Sequence, residues 1–205
     1  MALSLGMAGH AAMADPVTVL ALGDSLTAGY GLNEGEGLVP QLNAWLAANG
    51  TDATVINAGV SGDTSAGGLS RVDWSLTDEV GAMIVTLGGN DLLRGLPPAS
   101  TRANIDTILT KAQARSLPVL LISMKAPLNF GPEYKTEFDS LYPDLATTYG
   151  ALYLDNFFAP LGDPGDQAAV SALMQADGIH PNAEGVKLIV QSLGPKVQEL
   201  IGQIK

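Results

Sequence analysis

Residues Val17–Gly31 read VTVLALGDSLTAGYG, a run of small and branched apolar residues that ends abruptly in Gly23-Asp24-Ser25. The run Val17–Leu22 does not alternate polar with apolar, which suits a strand buried on both faces of a parallel sheet. Comparable runs recur at spacings of roughly 30 residues: Thr54–Asn57, Ala82–Leu87, Val119–Ile122 and Leu152–Asp155. The stretches between them have helical character, over Leu38–Asn49, Thr101–Arg115, Glu133–Tyr149 and Asn182–Ile204. In the last of these, Val186, Ile189, Val190, Leu193, Val197, Leu200, Ile201 and Ile204 make an apolar stripe at steps of three and four. Strand followed by helix, repeated along the chain, predicts a three-layer α/β domain with right-handed crossovers. Gly95–Ala99 and Pro127–Pro132 read as loops.

Bulk properties narrow the function. The chain has 205 residues, enough for one sizeable core and too few for two comfortable domains. Ten Lys and Arg against 21 Asp and Glu give a formal net charge of −11. Such a surface repels nucleic acid and anionic membrane, so neither is an expected partner. Cysteine is absent, which removes disulfides, thiolate metal sites and a cysteine nucleophile.

Residues 1–14 are small and apolar and close on Ala12-Met13-Ala14, the A-x-A pattern of an export cleavage site. They lack a basic leading region and read as a residual signal-like leader, with one domain expected over 15–205 and a periplasmic or secreted location. No run approaches 18 apolar residues, so no stable membrane insertion is expected. The apolar leader is a candidate surface for self-association into a homo-oligomer.

Open α/β sheets bind ligands beyond the carboxyl ends of their strands. Three unusual polar segments stand there: Gly23-Asp24-Ser25, Ser61-Gly62-Asp63 and Gly88-Gly89-Asn90-Asp91. Ser25 is a candidate nucleophile, its hydroxyl and N–H at the start of a helix, although a serine there also suits a plain N-cap. It does not sit in a G-x-S-x-G elbow, since residue 27 is threonine. His10 falls in the leader, leaving His180 as the one imidazole of the domain. Asp177, three residues earlier, can turn back to fix its tautomer, leaving Nε2 to take a proton from a hydroxyl. The alternative is a helix-entry turn in which Asp177 only holds backbone N–H groups. Gly62 and Asn90 could join the Ser25 N–H as donors to an oxyanion, and each alone also fits a turn or loop. Asp24 and Asp63 are assigned to bonds with backbone amides.

The blocks GDSLTAGYG, SGDTS, GGND and DGIHPN stand in the order and spacing of the SGNH hydrolases, also called GDSL esterases, and the chain resembles the bacterial thioesterase and lysophospholipase branch of that family from Val17 onward. The resemblance implies a flavodoxin-like fold with a five-stranded parallel sheet. It implies Ser25 as nucleophile, Asp177 and His180 as acid and base, and an oxyanion hole from Ser25, Gly62 and Asn90. It implies no metal and no organic cofactor.

The implied reaction is ester hydrolysis through an acyl-enzyme on small-molecule substrates, with a rate that falls at acid pH as the imidazole takes a proton. Short to medium acyl chains on aryl or lipid-like alcohols are the expected substrates, with thioesters and lysophospholipids also in range. Leu92, Leu93, Leu96, Leu128 and Phe130 are candidate walls of an acyl pocket, or caps on the core. Three other functions share some of these features. A metal-dependent phosphoesterase would need more imidazoles than one. A flavodoxin-type binding domain leaves the serine, aspartate and histidine unexplained. An acetyl-carbohydrate deacetylase of the same fold is the nearest competitor.

Overall fold

A computed structural model describes residues 16–204. The proposed leader, and with it any self-association through residues 1–14, lies outside the described residues. Five strands form one parallel sheet: β1 (Val17–Gly23), β2 (Ala53–Gly59), β3 (Val80–Thr86), β4 (Val119–Ile122) and β5 (Leu152–Leu154). Their spatial order is β2-β1-β3-β4-β5, the doubly wound flavodoxin-like order whose direction of winding reverses between β1 and β3.

Among the described residues eight α-helices connect and follow the strands: α1 (Ser25–Ala28), α2 (Leu38–Ala48), α3 (Ser65–Ser75), α4 (Gly89–Leu93), α5 (Pro98–Ala114), α6 (Pro132–Tyr149), α7 (Gln167–Ala172) and α8 (Ala183–Ile201). Successive strand residues face opposite ways, and that alternation sorts the interior into two cores. Val19, Ala21, Ala82, Ile84, Leu120 and Ile122 point to α2 and α8. Leu20, Leu22, Met83, Val85, Val119 and Leu121 point to α3, α5 and α6. The predicted stripe of the last helix is the buried face of α8 from Val186 to Leu200, with Ile201 partly buried and Ile204 just past the helix end. Gly194 lets α8 approach α2 closely, because a β-carbon there would lie 2.4 Å from the Trp45 ring.

The structure corrects the sequence reading in several places. Only β1, β3 and β4 are buried on both faces; β2 and β5 are the sheet edges, and Ile56 of β2 is 40% exposed. The segment Gly95–Ala99 is not wholly a loop, since Pro98 opens α5 at a position where its missing N–H costs nothing. Helices α1, α3, α4 and α7 carry no apolar stripe long enough to be read from sequence.

Candidate active site

Three strand ends meet at the winding reversal. β1 delivers Asp24 and Ser25, β2 leads to Ser61 and Gly62, and β3 leads to Gly89 and Asn90. The segment before α8 brings Asp177 and His180 to the same place. Ser25, Gly62, Asn90 and His180 line one cavity of about 780 Å³.

Asp24 caps α1, accepting the Leu26 N–H at 3.0 Å, and so sets the turn that presents Ser25. α1 is a single turn, too short for a strong macrodipole, which leaves the Ser25 N–H itself as the local donor. Arg71 braces the turn from below: its Nη2 donates to Gly23 O (2.8 Å), its Nη1 to Ala58 O (2.7 Å) and its Nε to Asp63 (2.7 Å). The part of Asp63 is therefore to hold Arg71 and not, as expected, a backbone amide.

Ser25 Oγ lies 2.8 Å from His180 Nε2, and His180 Nδ1 lies 2.7 Å from Asp177 Oδ2. Asp177 Oδ1 accepts the N–H groups of Ile179 (2.9 Å) and His180 (3.0 Å). Thus one carboxylate does both things proposed for it, holding the turn and meeting the imidazole. The backbone N–H of His180, then its ring, then the Ile179 N–H, hold the Asp177 carboxyl down at about 2. The imidazole is steadied further by the Tyr30 ring, whose centroid is 4.8 Å away. Gln175 ties the two loops, its Nε2 donating to Tyr30 O (2.8 Å) and Pro181 O (3.0 Å). Tyr30 and Gln175 escaped the sequence reading, because nothing local marks a residue whose partner is about 150 positions away.

Gly62 holds φ +85°, a conformation that strains any residue with a β-carbon. Asn90 Nδ2 makes a long contact of 3.4 Å to Asp24 Oδ2, which occupies one of its two hydrogens and leaves the other for the cavity. Asp91, the next residue, is buried and accepts from Ser65 N (2.7 Å), Ser65 Oγ (2.5 Å) and Thr101 Oγ1 (3.1 Å), anchoring α4 to α3 and α5.

Burial pushes Asp24 up from 3.8 to about 6, against the opposing pull of the Leu26 N–H, His180 and Asn90. A folded-state pKa above the unfolded value means that the native state binds the proton more tightly. That stabilisation is complete below pH 3.8 and is lost as pH rises through about 6, an effect of up to about 3 kcal/mol. Asp24→Asn cannot titrate. Urea unfolding of the two proteins from pH 4 to 7 should therefore show wild type losing ground to the variant; a constant difference would contradict it.

The cavity walls are mostly apolar. Leu92 and Leu93 line it as expected, but Leu96, Leu128 and Phe130 do not; Phe130 packs on Tyr134, ring centroids 5.1 Å apart. Further apolar lining comes from Met124 and from the segment after β5, through Phe158, Leu161, Val170 and Met174. Among the described residues no three of His, Asp or Glu converge as a metal would require.

A hydroxyl, an imidazole and a carboxylate in series above a parallel sheet, beside an apolar cavity, make the apparatus of a serine hydrolase. Residues 21–188 match the GDSL-like lipase/acylhydrolase family. The chain is 38% identical to esterase TesA of Pseudomonas aeruginosa over 90% of its own length and 89% of that protein's. It is 35% identical to thioesterase 1/protease 1/lysophospholipase L1 of Escherichia coli, covering 94% and 88%. Among solved structures it is similar to AlinE4, an SGNH-hydrolase family esterase, at 44% identity and a TM-score of 0.74, covering 92% and 98%. The chain belongs to the GDSL-like lipase/acylhydrolase family, and by that membership it is an ester-hydrolysing enzyme. A carbohydrate acetylesterase family member from Sinorhizobium meliloti matches at 20% identity, a likeness of fold alone, so the deacetylase alternative is not favoured.

Proposed function

We propose that Ser25 is the nucleophile of a carboxylic-ester hydrolase, with His180 as its base and Asp177 as the orienting acid. The observation that carries this reading is the unbroken series Ser25 Oγ, His180 Nε2, His180 Nδ1, Asp177 Oδ2, with gaps of 2.8 and 2.7 Å. As Oγ attacks the carbonyl carbon, its proton passes to Nε2. The oxyanion is held by the N–H groups of Ser25 and Gly62 and by Asn90 Nδ2. The imidazolium then protonates the leaving alcohol as the C–O bond breaks, and water repeats the two steps on the acyl-enzyme. No step calls for a metal or organic cofactor.

The acyl chain lies in the apolar cavity, and the substrates are short to medium acyl esters of aryl or lipid-like alcohols, with thioesters and lysophospholipids as further substrates. Its volume of about 780 Å³ is far larger than an acetyl group needs. Val170, on α7, lines this cavity together with Leu92. In a chain-length series of aryl esters, Val170→Phe should shift the optimum to shorter chains. The expected loss in kcat/KM is at least tenfold for the longest good substrate and under twofold for acetate, since each buried methylene is worth about 10- to 200-fold. A profile that does not move would place the acyl chain elsewhere, and a matched thioester in the same series measures the preference between oxygen and sulfur. The leader's A-x-A pattern supports a periplasmic or secreted enzyme, and its apolar character supports self-association. No helix among the described residues is long and apolar enough to cross a membrane.

A further inference from the structure

We propose that Arg94 is a positioning residue, a strut that locks together the two segments carrying Gly62 and Asn90. The proposal rests on the reading of those two residues as oxyanion donors. Arg94 closes α4, one turn beyond Asn90, and its N–H donates to Asn90 O at 3.1 Å. Its side chain crosses to the neighbouring loop, where Nη2 donates to Gly62 O at 2.8 Å. The same Nη2 is the nearest atom that a β-carbon on Gly62 would meet, at 3.9 Å. The guanidinium therefore lies against Gly62 itself.

A glycine at φ +85° has soft peptide planes on both sides, so its N–H is a fixed donor only while something holds the unit. On the buried side the hold is Asp91, which grips the start of α3 through Ser65 N. On the exposed side it is Arg94. Charge makes the placement unusual. Among the described residues Arg71, Arg102 and Arg115 pair with Asp63, Asp144 and Asp78, whereas Arg94 donates to a neutral carbonyl. In a chain of net charge −11, this leaves a cation beside a donor to a developing anion. Its attraction strengthens only as the oxyanion forms and weakens with added salt, because the group is exposed.

The test compares Arg94→Ala, Arg94→Gln and Arg94→Lys with wild type, using an aryl ester and a fluorophosphonate whose phosphonyl oxygen takes the oxyanion's place. Removing a whole oxyanion donor costs about 10²–10³ in kcat, so loosening one should cost about tenfold in Arg94→Ala. KM should stay within threefold, the labelling rate of Ser25 should fall in proportion, and the unfolding midpoint should hold. Arg94→Lys should recover most of the rate, and Arg94→Gln should lose the salt dependence that wild type shows. A kcat in Arg94→Ala within twofold of a wild type that labels at Ser25 overturns the strut. So does a loss that tracks a lowered unfolding midpoint and that lysine does not restore. Wild type that fails to label at Ser25 overturns instead the reading on which the strut rests.

Discussion

Ser25→Ala should lower kcat on an aryl ester by about 10⁴- to 10⁶-fold and abolish labelling by a fluorophosphonate, with the fold intact. The scale follows from what one oxygen contributes. On the proposed mechanism the loss of Oγ removes the covalent intermediate, and a water must attack from a place the site was not shaped to hold. What survives is substrate binding and the oxyanion donors, which by themselves still speed the reaction over water. The structural cost is small. Ser25 is nearly buried, and the alanine loses the 2.8 Å bond to His180 while leaving a void of one hydroxyl. Such a bond is worth about 1 kcal/mol, which shifts the unfolding midpoint of a chain this size by roughly 2–4 °C. A variant that keeps more than a hundredth of wild-type kcat, after purification free of any host esterase, would remove Ser25 from the chemistry.

How far the sequence carries depends on whether a feature is local. The strands β1, β3 and β4 are legible because both of their faces are buried, so their residues are apolar without a break. β2 misleads for the complementary reason. It is an edge strand, and Val55 alone of its residues is well buried, yet TVIN resembles a core run. Helix α3 is hidden because its sequence, SAGGLSRVDWS, is shaped by contact and not by amphipathicity. Gly68 is small because a β-carbon there would lie 2.3 Å from Leu87. The site behaves in the same way. Ser25, Gly62 and Asn90 each follow a strand end, so the rule about carboxyl ends gathers them, while His180 stands out as the domain's one imidazole with Asp177 three residues before it. The wall through Phe158, Leu161, Val170 and Met174 has no such marker, because it comes from the segment between β5 and α8, in which short turns and the six-residue α7 carry no periodic pattern. Arg94 and Tyr30 act across loops, and only coordinates reveal their partners.

Asp177→Asn should cost about 10³ to 10⁴ in kcat and should harm the enzyme at least as much as Asp177→Ala. A carboxylate presents two acceptors, and here Oδ1 takes the N–H groups of Ile179 and His180 while Oδ2 takes the imidazole Nδ1–H. An asparagine has one oxygen and one NH₂. The two backbone donors claim the oxygen, which turns the NH₂ toward His180 Nδ1. That nitrogen must then accept, so the ring proton moves to Nε2, the atom that receives the Ser25 proton in the proposed mechanism. The base is blocked by its own hydrogen. Alanine makes no such demand, and its imidazole samples both tautomers. The charge adds to the effect, because a carboxyl held at about 2 stays ionised through neutral pH and steadies the imidazolium as it forms. Asp177 is about a third exposed, so solvent screens that attraction and the tautomer becomes the larger part of the loss. Measuring kcat for both variants at matched pH separates the two effects. If asparagine proved clearly milder than alanine, tautomer control would be wrong, and Asp177 would be acting through the backbone turn alone.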